Sequence, residues 1–283
     1  MTTVAEYRSS RELFTNLTLR ELRSMYKRSF LGWAWSMINP LANTLVYTVV
    51  FAYFFRLKPT PGHPSGLTAY ALYLLPPMLT WNFFQTGIMS SVGGLIGNGN
   101  LIKKSYFPRE LLPASAVAST LVSHFIEMGV VMVVMLAYGN FYALLYSPFT
   151  VLIILLAAVF SLGLGLGLGV LNVYFRDIQY FLTILFLLWM YGTPIIYPNN
   201  TVMYRVVNGV NHVRYLPGTH VSLFAVMKIN PMTEMELLLR QTMWNGTHPD
   251  WMQLLYFAAW AFAALGIGLM VFRRFEGRLA EEL

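Results

Sequence analysis

The chain has 283 residues, of which 57% are hydrophobic and 11% charged, with a formal net charge of +7. Soluble domains carry about 25% charged residues, so a soluble fold is excluded and each charge must sit where water or a partner can hold it. The absence of cysteine excludes disulfides and thiolate metal sites. The positive balance is charge facing anionic lipid, not nucleic acid.

In chain order, the first thirty or so residues are polar and basic, without the short apolar core of a secretory signal, and none is expected. Residues 11–30 predict an amphipathic helix. Leu19, Leu22, Met25, Tyr26 and Phe30 fall on one arc, and Arg20, Arg23, Lys27 and Arg28 on another. Such a helix lies in the membrane interface, as an anchor or a docking element. Gly32-Trp33-Ala34-Trp35 and Asn39-Pro40 mark the approach to the first span. A span needs about 20 apolar residues to cross ~30 Å of hydrocarbon. Six stretches qualify: 37–56, 69–93, 113–137, 149–172, 180–197 and 251–272. The fifth is short and ends in Thr193-Pro194, which suggests a broken helix.

The expected fold is therefore all-α and integral to the membrane. It has an interface segment (1–36), a six-span domain (37–272) and a cytoplasmic tail (273–283). With the N-terminus inside, Arg8, Arg11, Arg20, Arg23, Lys27, Arg28, Lys103, Lys104, Arg109, Arg176, Arg273, Arg274 and Arg278 all fall on the cytoplasmic side. Only Arg56 and Lys58 lie in a short outer loop, so both termini are expected in the cytoplasm. The loop at 97–112 is short and basic. Pro108, followed by Arg109-Glu110, reads as the start of a short cytoplasmic helix held between spans two and three. In span four, Gly163/Gly167 and Gly165/Gly169 form two small-xxx-small pairs on roughly opposite faces, where helix backbones can approach closely. Residues 198–249 are too polar for a span and too apolar for an ordinary loop. Two short re-entrant helices are expected there, as an outer gate.

No G-x-x-x-x-G-K-[ST] phosphate loop and no H-E-x-x-H is present. The two aspartates, Asp177 and Asp250, fall on opposite membrane sides, so no carboxylate pair is available for acid–base chemistry. This argues against a membrane enzyme, and the lack of internal repeats argues against a secondary transporter. Glu127 lies deep in a span, where a charge costs roughly 2.5–3.5 kcal/mol. His124, one turn earlier, can pair with it. Glu127 then either lines a cavity or makes a buried structural contact. Aromatics are abundant, with 20 Phe, 17 Tyr and 7 Trp. Tyr47, Trp81, Phe84, Trp189 and Tyr191 fall inside spans. They suit either a pore wall for sugars, which present an apolar face and a polar rim, or a belt and packed core.

Several segments together resemble the transmembrane subunits of ABC exporters that move lipid-linked polysaccharides such as O-antigen, teichoic acid and cell-wall galactan precursors. They are RELRSMYKRSFLGWAWSMINP at 20–40, NLIKKSYFPRELLP at 100–113, NVYFRDI at 172–178, TPIIYP at 193–198, NPMT at 230–233 and FRRFEGRLAEEL at 272–283. The likeness is nearest to actinobacterial members, which implies a galactan. It further implies a homodimer in the bacterial inner membrane, with a pore at the dimer seam and a polyprenyl-pyrophosphate-linked glycan as cargo. Two separate ATPase subunits would carry ATP and Mg, leaving no cofactor on this chain. Leu101, Ile102, Lys103, Lys104, Phe107, Arg109 and Glu110 would form the coupling helix, and Arg176 and Asp177 a second cytoplasmic contact. The alternatives are a same-fold permease for a lipid or drug, or an ATP-independent secondary transporter.

Overall fold

The computed structural model describes residues 4–26, 32, 34–104, 107–207 and 210–282. Lys27, Arg28, Phe30 and Trp33 therefore lie outside the described residues. Helix α1 (Val4–Tyr26) is followed by α2 (Ala34–Tyr47), which runs on into a π-helical stretch at Thr48–Phe54. Next come α3 (Tyr70–Gly97), α4 (Gly99–Lys104), α5 (Leu111–Ala137), the single turn α6 (Tyr142–Leu145), α7 (Ser147–Tyr174) and α8 (Ile178–Tyr191). The outer segment holds α9 (Asn199–Met203), strands β1 (Tyr204–Val207) and β2 (Val210–Val213), α10 (Leu223–Met227) and α11 (Pro231–Leu239), which continues as a π-helical turn at Arg240–Asn245. Helix α12 (Trp251–Phe275) leads through a 3-10 turn (Glu276–Arg278) into α13 (Leu279–Glu282).

Among the described residues, four helical stretches are long and apolar enough to cross a membrane: Met37–Phe54, Leu111–Ala137, Ser147–Tyr174 and Trp251–Arg278. Helix α3 has the length, 28 residues, but carries Asn82, Gln85, Thr86, Ser90 and Ser91. Helix α8 has only 14 residues. It ends at Tyr191 and not at 197: Gly192 donates to the Leu188 carbonyl at 2.9 Å, and Pro194 then has no N–H to continue the helix.

Two local expectations are corrected. The short helix expected between spans two and three is α4 and does not begin at Pro108. Proline disfavours helix in Phe107 before it and suits a helix start, so Pro108–Glu110 form the turn that opens α5, with Leu111 N–H on the Pro108 carbonyl at 3.1 Å. The segment 198–249 is not simply two short helices. It contains an antiparallel hairpin, pairing Tyr204 with Val213 and Val207 with Val210, and one deeply buried helix, α11.

Helices α3, α5, α7 and α12 pack into the central bundle. Apolar side chains gain little from burial when the alternative is lipid, so close backbone approach carries the packing. A side chain at Gly163 would strike the main chain of Ala264 and Leu265 in α12, and one at Gly268 would strike the Gly163 carbonyl. Gly165 and Gly169 face Ser91 and Leu95 of α3. Gly167 is looser, with Gly268 Cα at 3.8 Å from where its Cβ would stand.

Candidate coupling and translocation sites

At the end of the bundle that carries α1 and α13, Leu17 of α1, Leu95 of α3, Ile102 of α4, Leu112 of α5, Leu166, Val170 and Val173 of α7, Phe272 of α12 and Leu279 of α13 form one buried apolar cluster. Helix α1 is thus docked on the bundle, against α5. Its basic side stays outside: Arg20 and Arg23 are exposed, and Arg20 bonds the Asn98 side-chain oxygen at 2.6 Å. On α4, Ile102 points into the cluster and Leu101 packs at its edge, while Lys103 and Lys104 are exposed. A buried apolar residue beside two exposed cations makes a short tooth.

Arg109 does not present its charge outward as α4 does. It is half-buried and donates to the main-chain carbonyl of Glu276 in the tail. Phe107, Arg109, Glu110, Arg273 and Glu276 line a cleft of about 480 Å³ between loop and tail. Arg176 and Asp177 sit exposed in the separate turn between α7 and α8.

In the middle of the bundle the aromatic candidates divide. Trp81 and Phe84 are fully buried and packed on Phe160, Phe186 and Trp189, with ring centroids 5.3–6.4 Å apart. They are core, not lining. The expectation placed them by depth alone, whereas α3 is enclosed on most of its circumference. Trp189 is half-buried and donates through Nε1 to the Asn230 side-chain oxygen at 2.8 Å. Tyr47 is half-buried and packs on Phe51. Tyr191 is half exposed. The helices that carry these two tyrosines present open apolar faces: Leu45, Val46, Tyr53 and Phe54 on α2 and its π-helical extension, and Tyr180, Ile184 and Leu188 on α8.

Glu127 has a partner inside the subunit. His124 Nδ1 lies 3.6 Å from Glu127 Oε2, His124 Nε2 lies 3.3 Å from Thr80 Oγ1, and the imidazole stacks on Phe83 at 4.9 Å. Both members of the pair are buried. The Glu127 contact thus lies within α5, and His124 alone reaches across to Thr80 of α3.

The outer end holds the residues that composition did not flag. Asn230 caps α11, accepting from Met232 N–H at 3.0 Å, with Pro231 at the first helical position, a favoured helix start. The same side chain donates to Thr193 Oγ1 at 2.8 Å. Arg240 is buried and paired with Glu236 one turn back, itself fully buried. Asn140 Nδ2 donates to the Met243 carbonyl at 2.7 Å, and Trp244 Nε1 to the Thr60 carbonyl at 3.2 Å. The available signals were Asn-Pro as a helix start and Glu-x-x-x-Arg as an i,i+4 pair.

The sequence pattern of ABC-2 type transporters matches residues 12–216. The O-antigen export system permease protein RfbA of Myxococcus xanthus is 25% identical over 280 residues, covering 99% of this chain and 98% of that protein. RfbA of Klebsiella pneumoniae is 26% identical over 273 residues, 96% of this chain and 95% of its own length. The polysialic acid transport protein KpsM of Escherichia coli is 23% identical over 262 residues, 92% of each. The family match covers most of the chain and takes in α1, the α4 tooth, the glycine-packed α7 and the short α8, so the chain belongs to the ABC-2 type transporter family.

Proposed function

We propose that the chain is the transmembrane subunit of an ATP-driven exporter. It carries a polyprenyl-pyrophosphate-linked polysaccharide from the cytoplasm to the outer side of the bacterial inner membrane. The observation that carries this reading is likeness along nearly the whole chain to permeases named for O-antigen export and to a protein named for polysialic acid transport. In this reading two copies pair through the open faces of the first and fifth spans, where Tyr47 and Tyr191 stand. Six crossings, both termini inside and two separate ATPase subunits beneath complete the assembly, with ATP and Mg held on those partners.

The geometry supports a route for the stroke. An ATPase pressing on Lys103 and Lys104 displaces α4. Because Ile102 shares one packed cluster with α1, α5, α7, α12 and the tail, the cytoplasmic floor moves together, and the Arg109 bond to the tail braces it. A long glycan must pass without being trapped, so many weak contacts from amphipathic rings serve better than one tight site.

The test is reconstitution with a candidate ATPase in vesicles loaded with lipid-linked glycan. ATP-dependent appearance of glycan on the far side is expected. Glycan that stays put while a phospholipid or drug crosses in the same vesicles overturns the cargo. For orientation, single cysteines replacing Lys103 and His212 are informative because the chain has none of its own. Position 103 reacts only with reagents that enter the cytoplasm, and position 212 reacts from outside. The reverse pattern overturns the topology.

A further inference from the structure

The outer half holds a buried cation with no part in the coupling route or in the ring surface. The Arg240 guanidinium is 5% exposed and lies over the Tyr73 ring, 3.7 Å from its centroid. Nη1 pairs with Glu236 and donates to the Asn199 side-chain oxygen at 2.9 Å. Nη2 donates to the carbonyls of Pro194 and Ile195, each at 2.9 Å. Those carbonyls follow the break at the end of α8, so no helix serves them. Buried backbone oxygens left unpaired are costly, most of all where lipid replaces water. A planar fork of fixed donors meets this need, and a lysine ammonium does not. The next polar groups along the break are served in the same way: Tyr70 donates to the Ile196 carbonyl, and the Tyr73 hydroxyl accepts from Asn199 N–H at 3.3 Å.

The break is therefore bolted to α11 at two places. Asn230 holds Thr193 and Trp189 at one end, and Arg240 holds 194–199 at the other. At 1.5 Å per residue the two bolts stand about 15 Å apart along the helix. We infer that Arg240 is a positioning residue for the outer ring surface. It fixes the end of the fifth span on the re-entrant helix, so that Trp189 and Tyr191 move with α11 as one body. The re-entrant helix is then a strut and not a flap. The inference rests on the export reading only for what the surface carries; the joint itself can be tested without cargo.

Spin labels on cysteines replacing Leu188 and His248, both exposed, report the distance across the joint in purified protein diluted with unlabelled chain. The otherwise unaltered chain gives one narrow distribution. Arg240→Gln broadens it and lowers export several-fold at normal membrane levels. Arg240→Lys keeps the charge but not the fork, and restores neither. Asn199→Ala, which removes one bond and leaves the charge pair, gives a smaller broadening in the same direction; it decides the matter if Arg240→Gln is not recovered folded. A distribution as narrow as that of the unaltered chain in Asn199→Ala or Arg240→Gln overturns the inference, as does full rescue by lysine. If the unaltered chain exports no glycan while the joint still loosens on mutation, the proposed cargo fails and the positioning role stands.

Discussion

The first span and the re-entrant segment invert the usual relation between hydrophobicity and burial. The stretch Met37–Phe54 is long and apolar enough to cross a membrane, yet Thr44 is its one buried residue among those described. The segment Pro231–Asn245 is short and carries Glu234, Glu236 and Arg240, yet nearly all of it is buried. In water the apolar piece would be the core. In a bilayer, lipid tails are as apolar as leucine, so the first span loses little by facing outward. Ions and irregular backbone have no such option and must be enclosed by protein. Burial here follows polarity. Met37–Phe54 and α8 are left with open apolar faces, and the segment Pro231–Asn245 is enclosed by the rest of the bundle.

The sharpest break of this comparison is to remove one side of the buried pair. Glu236→Ala leaves the Arg240 charge enclosed and uncompensated, which costs about 3–5 kcal/mol. Thermal unfolding in detergent should fall steeply, and Glu236→Leu combined with Arg240→Met should recover part of the loss. Ser in place of the exposed Val46 should leave the unfolding temperature nearly unchanged. Equal losses at positions 236 and 46 would show that the two regions are not as different as their burial implies.

The next effect in size separates the α7 glycines by what each faces. Gly163→Leu drives a side chain into the main chain of α12, and Gly165→Leu into Ser91 of α3. Overpacking of this kind costs typically about 1–3 kcal/mol, with Gly163 at the upper end because backbone cannot step aside. Gly167→Leu meets only ordinary contact and should be the mildest. Melting temperatures in the order Gly163, Gly165, Gly167, lowest first, are expected; a fully tolerated Gly163→Leu would place α12 elsewhere.

These glycines were legible in the sequence because two interleaved small-residue pairs on one helix say which faces must be close, even without naming the partner. Four of the expected spans were legible from length and apolar composition. What escaped was anything that needs two distant segments at once. Arg109 meets Glu276 across most of the chain, and Arg240 serves carbonyls of the break after α8, contacts no local pattern announces. Glu236 and Arg240 stand in a proline-punctuated stretch, where nothing local says that both are buried. The hairpin carried a local signal, Asn208-Gly209 between two β-branched runs, the dipeptide favoured in tight hairpin turns, but a membrane pattern on both sides drew attention to helices. Trp81 and Phe84 went astray because depth alone was used: Asn82, Gln85, Thr86 and Ser90 recur at helical spacing on one side of α3, and the two rings stand on the opposite, core-facing side.

A smaller effect, on association and not on folding, concerns the α4 tooth. Lys103→Glu with Lys104→Glu reverses two exposed charges and leaves Ile102 in its cluster. Membrane insertion and melting should hold while co-purification of the ATPase falls. Arg109→Gln acts differently, because its bond runs to the tail. It should loosen the floor, lower stability modestly and leave initial ATPase binding intact. If Arg109→Gln removes the ATPase as completely as the double lysine reversal does, Arg109 is itself a contact and the tail bond is secondary.

The smallest expected effect on stability is the one that bears most directly on transport. Tyr47 and Tyr191 sit at the edge of the bundle, whereas Trp81 is enclosed by aromatic neighbours. Truncating a buried Trp to Ala costs about 3–5 kcal/mol, so Trp81→Ala should damage folding and export together. Tyr191→Ala removes a half-exposed ring and should move stability by no more than about 0.5 kcal/mol. Its effect should appear instead as a partial loss of export, with Tyr47→Ala giving a similar loss and the double variant more than either alone, because shared weak contacts fail gradually. The discriminating measurement is export per folded molecule: it should stay constant for the surviving fraction of Trp81→Ala and fall for Tyr47→Ala and Tyr191→Ala. If instead the two tyrosine variants export normally per folded molecule, the rings belong to a lipid-facing belt, and the seam between copies must be sought on another face of the first and fifth spans.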